Sequence, residues 1–446
     1  MKKALVYSVV LSFILSTSGS YAFTEQLSFS HVWNQISGES PAQKSAELQM
    51  QAASAAKERA GRHWLPTVYL DATGYGTNDP GTAFFGLLEQ RALKQSDFNP
   101  GSINYPSDNN IYMRGALGLD LPLYEGGMKT AQVKIQEHAL AAAENESSQT
   151  RLEEYSRAGL SFASIAILAK QKKKLEDLSA EIEKLMKNYQ LGQKSNPVGY
   201  SGLLGMKSLN NRISGLLSQY DAQMLSHYSM LREMGVRNDG WLPDISDSVQ
   251  FAENYLMPET ESSGSYRQAS LKETVAAGAE AGKIEKAKGL PRLGVFAESY
   301  LFNGSRDTAG GYTAGLYLKW NLFDPSSYGT VEEAGLKAAA AGKSSEAFAL
   351  QERVQRNGLR ESVKALKDNI AILNESDKLL LEQTEVTKTL FKNGSISALQ
   401  FIEVLNRRVD LISQQSEAEL AFVKSSAQAV TLEKFDIQKR IAVTKD

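Results

Sequence analysis

Few side chains in this 446-residue sequence have the type and spacing that catalysis or metal binding requires. The four histidines lie far apart and form no metal-binding pattern such as His-Glu-x-x-His. They are His31, His63, His138 and His227. The absence of cysteine excludes a disulfide scaffold, a thiolate metal site and a thiol nucleophile. The sequence therefore predicts no metal site and no cofactor.

One short motif matches a catalytic pattern. Ser54 and Lys57, in the segment SAAK, have the spacing of the nucleophile and lysine of penicillin-binding enzymes. The segment is alanine-rich, however, and the Lys-Thr-Gly segment of those enzymes is absent from the chain. No Gly-x-x-x-x-Gly-Lys-Ser/Thr loop for nucleotide phosphates occurs either. We predict that the chain is not an enzyme.

The charged residues of most interest are Glu403 and Arg407, four residues apart in a segment whose apolar residues have helical spacing. On a helix this spacing allows an exposed ion pair, which stabilises by only about a few tenths of a kcal/mol. The whole chain carries 49 basic and 51 acidic residues, a formal net charge of −2. This balance does not predict a nucleic-acid partner.

The first 22 residues have the three parts of a secretory signal. Lys2 and Lys3 precede the apolar segment ALVYSVVLSFIL, and Ser20-Tyr21-Ala22 is a small-x-small cleavage pattern. We expect cleavage after Ala22, and a retained N-terminal anchor is the alternative. After Ala22 no apolar run approaches the roughly 20 residues that a membrane helix needs. If the mature chain spans a membrane, it must do so with strands.

The sequence is internally duplicated, a property that decides the fold class. Three pairs of segments resemble one another, at offsets of 225, 199 and 202 residues: 64–75 with 289–300, 118–124 with 317–323, and 185–192 with 387–394. The first offset is larger because the first copy has a long loop at about 77–110. The second copy has a loop only at about 304–310.

Within each copy, two segments alternate between apolar and polar residues and predict strands. The predicted strands are about 65–76, 111–123, 290–302 and 311–323. In the last of these, Tyr312, Leu316 and Trp320 fall on one face, with Thr313 and Gly315 on the other. Alternating segments of about ten residues are typical of outer-membrane barrel strands. The strands alone fit an amphipathic strand of a soluble sandwich equally well.

Two helical patterns are much longer than a compact domain needs. Residues 127–191 and 328–393 contain no proline, and about 65 helical residues span roughly 100 Å. The first carries a heptad seam: Leu168, Leu175, Leu178, Ile182, Leu185 and Tyr189. The second keeps this register with more polar residues, including Asp377 and Thr384. Shorter helices are predicted at 30–63, 199–235, 265–289 and 398–435.

These elements predict a chain of two similar halves. The division is 1–22 as the signal, 23–236 as the first repeat, 237–264 as an irregular acidic linker, 265–436 as the second repeat and 437–446 as a C-terminal tail. Each long helix ends near a glycine, Gly192 in the first copy and Gly394 in the second. Glycine suits the left-handed position that commonly ends a helix. We therefore expect a helical hairpin at each glycine.

The order and spacing of these features resemble the TolC-like outer membrane efflux protein family. The resemblance rests on the signal, the duplicated strand-pair and long-helix unit, the Leu65-Pro66 and Leu290-Pro291 strand starts, and the glycine turn before ISALQFIEVLNRR. It implies a mainly α-helical fold with a membrane β part. Four strands per chain would join a 12-stranded barrel closed by three chains, and the helices would form a long antiparallel coiled-coil barrel.

The resemblance also implies a site at the hairpin tips. In the family, the helix after the second glycine often carries two carboxylates, six and nine residues beyond it, that narrow the entrance of the trimer. These positions are Gln400 and Glu403 here, so one acidic ring is retained and the other is an uncharged amide. Arg407 is expected to pair with Glu403. The first tip is rich in glycine, with Gly202 and Gly205, and we expect it to be mobile or shaped for a partner's helical hairpin.

The function implied is that of a trimeric channel in the outer membrane of a Gram-negative bacterium, with its helices in the periplasm. Its expected partners are outer-membrane lipid, a periplasmic adaptor protein and an inner-membrane transporter of the RND, ABC or MFS type. The cargo would be small molecules such as drugs and metabolites, or proteins. The alternative is a secreted or periplasmic coiled-coil scaffold or adhesin without channel activity.

Overall fold

The computed structural model describes residues 25–106, 111–189, 196–238, 240–257 and 264–443. The signal segment 1–22 and the predicted tip glycine Gly192 lie outside these residues. The described helices are α1 Phe29–Glu39, α2 Pro41–Gly61, α3 Pro80–Glu89, α4 Pro100–Asn104, α5 Met128–Lys187, α6 Pro197–Glu233, α7 Ser248–Tyr255, α8 Tyr266–Lys288, α9 Thr330–Lys392, α10 Ala398–Val430 and α11 Ile437–Val443. The described strands are β1 Glu25–Leu27, β2 Thr67–Gly76, β3 Ile111–Tyr124, β4 Trp241–Pro243, β5 Arg292–Asn303 and β6 Thr308–Lys319.

Four strands form one antiparallel sheet in the order β2-β3-β5-β6. The two hairpins of the duplicated halves therefore lie side by side, with β3 of the first half paired to β5 of the second. Within this sheet, β2 and β6 each have a strand on one side only. Both are long strands, of 10 and 12 residues, and such edges are templates for pairing with another chain.

The two faces of the sheet differ in chemistry. One face is apolar and exposed, and it carries Leu70, Leu117, Leu301, Tyr312 and Leu316. The opposite face carries polar and aromatic side chains, including an Arg114–Glu298 ion pair and the hydroxyl of Tyr69, which donates to Glu298. The alternating apolar and polar residues predicted for 311–323 thus lie on these two opposite faces.

On the polar face, aromatic rings lie flat across glycines of the neighbouring strand. Tyr69 is opposite Gly118, and a Cβ added to that glycine would lie 2.1 Å from the tyrosine ring. In the second half the roles are exchanged, because Tyr317 lies over Gly294, where an added Cβ would be 2.4 Å away. The duplication offsets of 225 and 199 relate Tyr69 to Gly294 and Gly118 to Tyr317. Each hairpin thus places one ring opposite one glycine, at equivalent positions of the two repeats.

The helices form a long antiparallel bundle in which α5 packs against α2, α6, α8 and α10, while α9 packs against α8 and α10. The heptad seam of α5 faces the bundle interior, and Leu168, Leu175, Leu178 and Ile182 are buried. The polar seam position Asp377 of α9 accepts a hydrogen bond from Lys174 of α5 at 2.8 Å. An ion pair therefore replaces an apolar contact at this level of the second helix.

The linker between the halves is more ordered than the sequence predicted. Strand β4 pairs in parallel with β1, and α7 follows it. Their aromatic residues Trp241 and Phe251 pack with Phe162 of α5, with ring centroids 5.8 Å apart in both contacts. Burial of these large rings against the middle of the long helix outweighs the local turn signals of the segment.

Helix caps and strand pairing place several helix and strand ends at residues other than those predicted. The helix predicted at 30–63 is two helices, because Ser40 caps α2 and Pro41 begins it. The predicted strand to residue 323 ends at Lys319, since its partner β5 begins at the opposing Arg292. The predicted loop 77–110 contains α3 and α4, each begun by a proline after an Asp or Asn cap.

Within the described ranges, none of the helices combines the length and the apolar composition needed to cross a membrane.

Candidate functional site

The turn between α9 and α10 has the geometry of a helix end stopped by glycine. Gly394 has a φ of +71°, which a residue with a Cβ adopts only with strain. Its N–H donates to the carbonyl of Phe391 at 3.0 Å, and the N–H of Ser395 donates to that of Leu390 at 2.9 Å. This pair of hydrogen bonds is the Schellman motif that satisfies the last carbonyls of a helix.

Gln400 is engaged in capping the returning helix α10. Ser397 Oγ accepts from the backbone N–H of Gln400 at 3.3 Å, and Gln400 Oε1 accepts from the backbone N–H of Ser397 at 2.9 Å. Ser397 Oγ also donates to Gln400 Oε1 at 3.1 Å. The two residues form a capping box, which satisfies two helix-terminal donors reciprocally. The amide of Gln400 is therefore held at the helix end.

Glu403 and Arg407 form the predicted ion pair one turn further along α10. Arg407 Nε donates to Glu403 Oε1 at 3.2 Å, and the side chains are 60% and 61% exposed. On the other side of the same helix, Phe401 and Leu405 are fully buried. The charged pair thus lies on the exposed side of α10.

An aromatic stack joins the ends of three helices beneath the tip. The ring of Phe391 is stacked between Phe401, with centroids 5.1 Å apart, and Tyr189, at 5.9 Å. Such offset contacts contribute about 0.5–1.5 kcal/mol each beyond burial. Tyr189 and Phe391 end the two predicted heptad seams, so their proximity was implied by the duplication, but the stack itself was not predicted.

The glycines at the start of α6 are packing positions, and a first tip that is mobile or shaped for a partner's helical hairpin stays a prediction. A Cβ on Gly202 would lie 2.5 Å from the Cβ of Ala398, and one on Gly205 would lie 2.9 Å from Ile402 Cδ1. Small residues here let α6 and α10 approach closely. The i, i+3 spacing of these glycines was the available sequence signal for this contact.

Ion pairs join the helices near the tip and further along the hairpins. Lys388 of α9 pairs with Glu181 of α5, and this hydrogen bond raises the pKa of Lys388. Arg212 of α6 pairs with Asp410 of α10 and contacts Asn406 at 3.4 Å. These ion pairs join α5 to α9 and α6 to α10. Across the part of the chain that the structure describes, no group of three or more His, Cys, Asp or Glu side chains is arranged to hold a metal ion.

The sequence matches no family model. No curated protein matches it either. Solved structures are similar to the chain over nearly all of its length. CusC, described in connection with transmembrane channel formation, aligns with a TM-score of 0.73 at 10% identity, over 94% of this chain and 95% of CusC.

The CmeC outer membrane channel of Campylobacter jejuni aligns with a TM-score of 0.72 at 12% identity, over 93% of this chain and 88% of CmeC. The outer membrane protein VceC of Vibrio cholerae aligns with a TM-score of 0.66 at 14% identity, over 91% of this chain and 97% of VceC. The similarity includes the long helices and the four-stranded sheet, so the mainly helical fold class predicted from the sequence is confirmed. The chain has the TolC-like fold of these outer-membrane channels.

Proposed function

We propose that three copies of this chain form a channel in the outer membrane of a Gram-negative bacterium, with the helical bundle extending through the periplasm. Small molecules or proteins would leave the cell through it, passively, when an adaptor and an energised inner-membrane transporter are docked below. The chain would do no chemistry itself. A transporter of the RND, ABC or MFS type would supply the energy.

The observation that carries this proposal is the sheet. Its exposed face is apolar, as a lipid-facing surface must be, while its other face carries charges and hydroxyls. Its edge strands β2 and β6 each lack a partner on one side within the described chain. Backbone groups in a bilayer need hydrogen-bond partners, so insertion requires these edges to pair with other copies. Four strands from each of three copies give the predicted 12-stranded barrel.

We also propose that Glu403 forms the acidic ring of the periplasmic entrance. Its exposure on the tip and the engagement of Gln400 in the capping box support a single ring rather than two. Three carboxylates in a constriction favour cations over anions. Arg407, paired with each Glu403, would reduce this preference.

The channel is tested by membrane fractionation followed by planar-bilayer recording. We expect the protein in the outer-membrane fraction, a trimer in mild detergent, and discrete conductance steps from the purified protein. A secreted or periplasmic scaffold would instead be recovered without detergent and give no conductance. Purified monomers that remain soluble without detergent would refute the channel.

A further inference from the structure

The segment between β2 and β3 is folded back onto the sheet as a small cap, comprising residues 80–104. Helix α3 of this cap lies on Tyr112 of β3, whose ring is fully buried. The hydroxyl of Tyr112 donates to the carbonyl of Ala83 at 3.1 Å. A Cβ on Gly86 would lie 2.6 Å from the same ring, so glycine is required for this close contact.

The cap lies on the polar face of the sheet. Tyr112 alternates with the outward Ile111 and Met113 and so shares a face with Arg114. Phe302, opposite Arg114 on β5, packs against Tyr112 with ring centroids 5.6 Å apart and is also buried. In the proposed channel this face lines the lumen. Helix α3 therefore lies inside the outer mouth rather than around it.

A polar clamp holds the cap in this place. The Arg306 guanidinium donates to both carboxylate oxygens of Asp97, at 2.6 and 2.7 Å. Gln90, which is buried, accepts from the backbone N–H groups of Arg306 and Asp307 at 2.9 and 3.1 Å. The short turn between β5 and β6 is thus joined to the cap by both side-chain and backbone groups, which fixes the position of α3.

The face of α3 directed away from the sheet is apolar. Phe85 and Leu88 are 60% and 49% exposed, and their i, i+3 spacing places them together on the side opposite Ala83 and Gly86. Barrels of 8 strands are filled by their own side chains, whereas those of about 16 strands leave an aqueous channel. A 12-stranded barrel therefore has room at its mouth for added elements.

We propose that the three copies of α3 narrow the outer mouth of the channel, with Phe85 and Leu88 of each copy forming an apolar constriction. This inference rests on the proposed trimeric channel. The exposed apolar face of each α3 would face the α3 helices of the two neighbouring copies, because closure of the barrel brings the three caps together at one mouth. Apolar constrictions impede water and ions by dewetting. The channel would then have a constriction at each end.

The absence of cysteine from the chain permits a direct test. A Phe85→Cys variant in planar bilayers should be modified by a charged, water-soluble methanethiosulfonate reagent added from the outer side, with a change in unitary conductance. Leu70→Cys, on the apolar outer face of β2, is the matched control and should not react. A conductance change with Leu70→Cys, or none with Phe85→Cys, would overturn the assignment of α3 to the lumen.

A second measurement tests the constriction itself. Replacing Phe85 and Leu88 by serine should raise the unitary conductance by about twofold or more, because the opening then hydrates. Leu48→Ser, at an exposed apolar position of α2, should leave the conductance unchanged. Trimers that conduct identically with and without the two serines would overturn the constriction while leaving the channel intact. Failure of every variant and the parent chain to form conducting trimers would overturn the proposed function, and this inference with it.

Discussion

Two buried glutamates show how individual residues hold the two halves of the chain in the same arrangement. Ser40, the cap of α2, donates to Glu154 of α5, and Ser265, the cap of α8, donates to Glu352 of α9 at 2.5 Å. The serines are 225 residues apart, whereas the glutamates are 198 apart, four fewer than the 202 that relates the helix ends. The two glutamates do not align when the halves are superposed at the 202-residue offset, because a difference of four residues is about one helical turn. The shared contact is therefore not visible in the sequence.

At Glu403 we predict a change in ion selectivity. Glu403→Gln removes three charges from the proposed entrance ring without changing side-chain size. We expect the cation-to-anion permeability ratio to fall about two- to fivefold, since a unit charge in water contributes about 1 kcal/mol at 4 Å. Reversal potentials in a salt gradient measure this ratio. Glu417→Gln, at an exposed position on the same helix, is the control, and an equal effect of both variants would remove Glu403 from the entrance.

At the scale of elements, the long helices and the sheet were predictable because their periodicities extend over many residues. The strand alternation and the heptad seam each repeat in both halves, so one copy supports the interpretation of the other. The cap and the linker were not predictable in the same way. Helix α3 is short and depends on Tyr112, whereas β4 and α7 depend on aromatic contacts with α5. Contacts distant in sequence determine these elements, and local patterns do not record them.

At the tip, too, features set by local spacing were predictable, whereas contacts between distant segments were not. The turn at Gly394 and the Glu403–Arg407 pair follow from local spacing, and the structure contains both. The engagement of Gln400 with Ser397 matches the spacing of a capping box but was not recognised in the sequence. The contact of Gly202 with Ala398 joins helices almost 200 residues apart, so only the folded chain shows it.

Two glycine substitutions in α6 should have opposite effects. Gly215 has open space around it, so Gly215→Ala should stabilise by about 1 kcal/mol through helix propensity. Gly202→Ala should destabilise despite the same propensity gain, because its Cβ would overlap Ala398. Thermal unfolding in detergent, followed by circular dichroism, compares the two variants. Stabilisation by Gly202→Ala would show that the helices separate without cost at the tip.

The clamp of the cap should depend on pH. Hydrogen bonds from the Arg306 guanidinium and from the backbone N–H of Lys94 lower the pKa of Asp97 from 3.8 to about 2. Because this pKa is depressed in the folded chain, the stabilisation is complete above about pH 4 and is lost as the pH falls towards 2. Hydrogen–deuterium exchange of residues 80–104, corrected for the intrinsic rate, should therefore increase between pH 4 and 2.

Removing the arginine should have the same effect at neutral pH. In Arg306→Met, exchange of residues 80–104 should be fast already at pH 7 and should no longer respond to acid between pH 4 and 2. Arg62→Met, at an exposed position just before β2, serves as the control. If the cap exchanges as slowly in Arg306→Met as in the parent chain, the hydrogen bonds of Gln90 and the apolar contacts are enough to hold the cap on the sheet.

For the whole molecule, α9 carries an apolar stripe that the single chain leaves uncovered. Ile372, Leu379 and Val386 are spaced by seven residues and are 62%, 63% and 57% exposed. A heptad spacing is that of a coiled-coil seam, which packs against a second helix. In the proposed trimer, helices of a neighbouring copy would cover this stripe, as the neighbour's strand would pair with the sheet edge.

A charge in this stripe should prevent assembly. Leu379→Glu places a carboxylate in the proposed interface, where an unpaired buried charge is costly. We expect the trimer fraction in mild detergent, measured by size-exclusion chromatography with light scattering, to fall at least tenfold. Lys378→Glu introduces the same acid at the next exposed position of α9 and should leave assembly intact. Equal trimer fractions in both variants would place the interface elsewhere.

The exchanged tyrosine and glycine of the two hairpins also constrain how a duplicated gene can diverge. If both hairpins descend from one segment, the tyrosine and the glycine have since come to lie on opposite strands in the two copies. Two tyrosines would claim the same volume, since each ring lies where only a hydrogen atom fits opposite it. Two glycines would leave room and would cost only the packing of the lost ring. A hairpin in which β3 is replaced by β6 would place Tyr317 opposite Tyr69, and the two rings would collide. The second strands of the two hairpins are therefore not interchangeable.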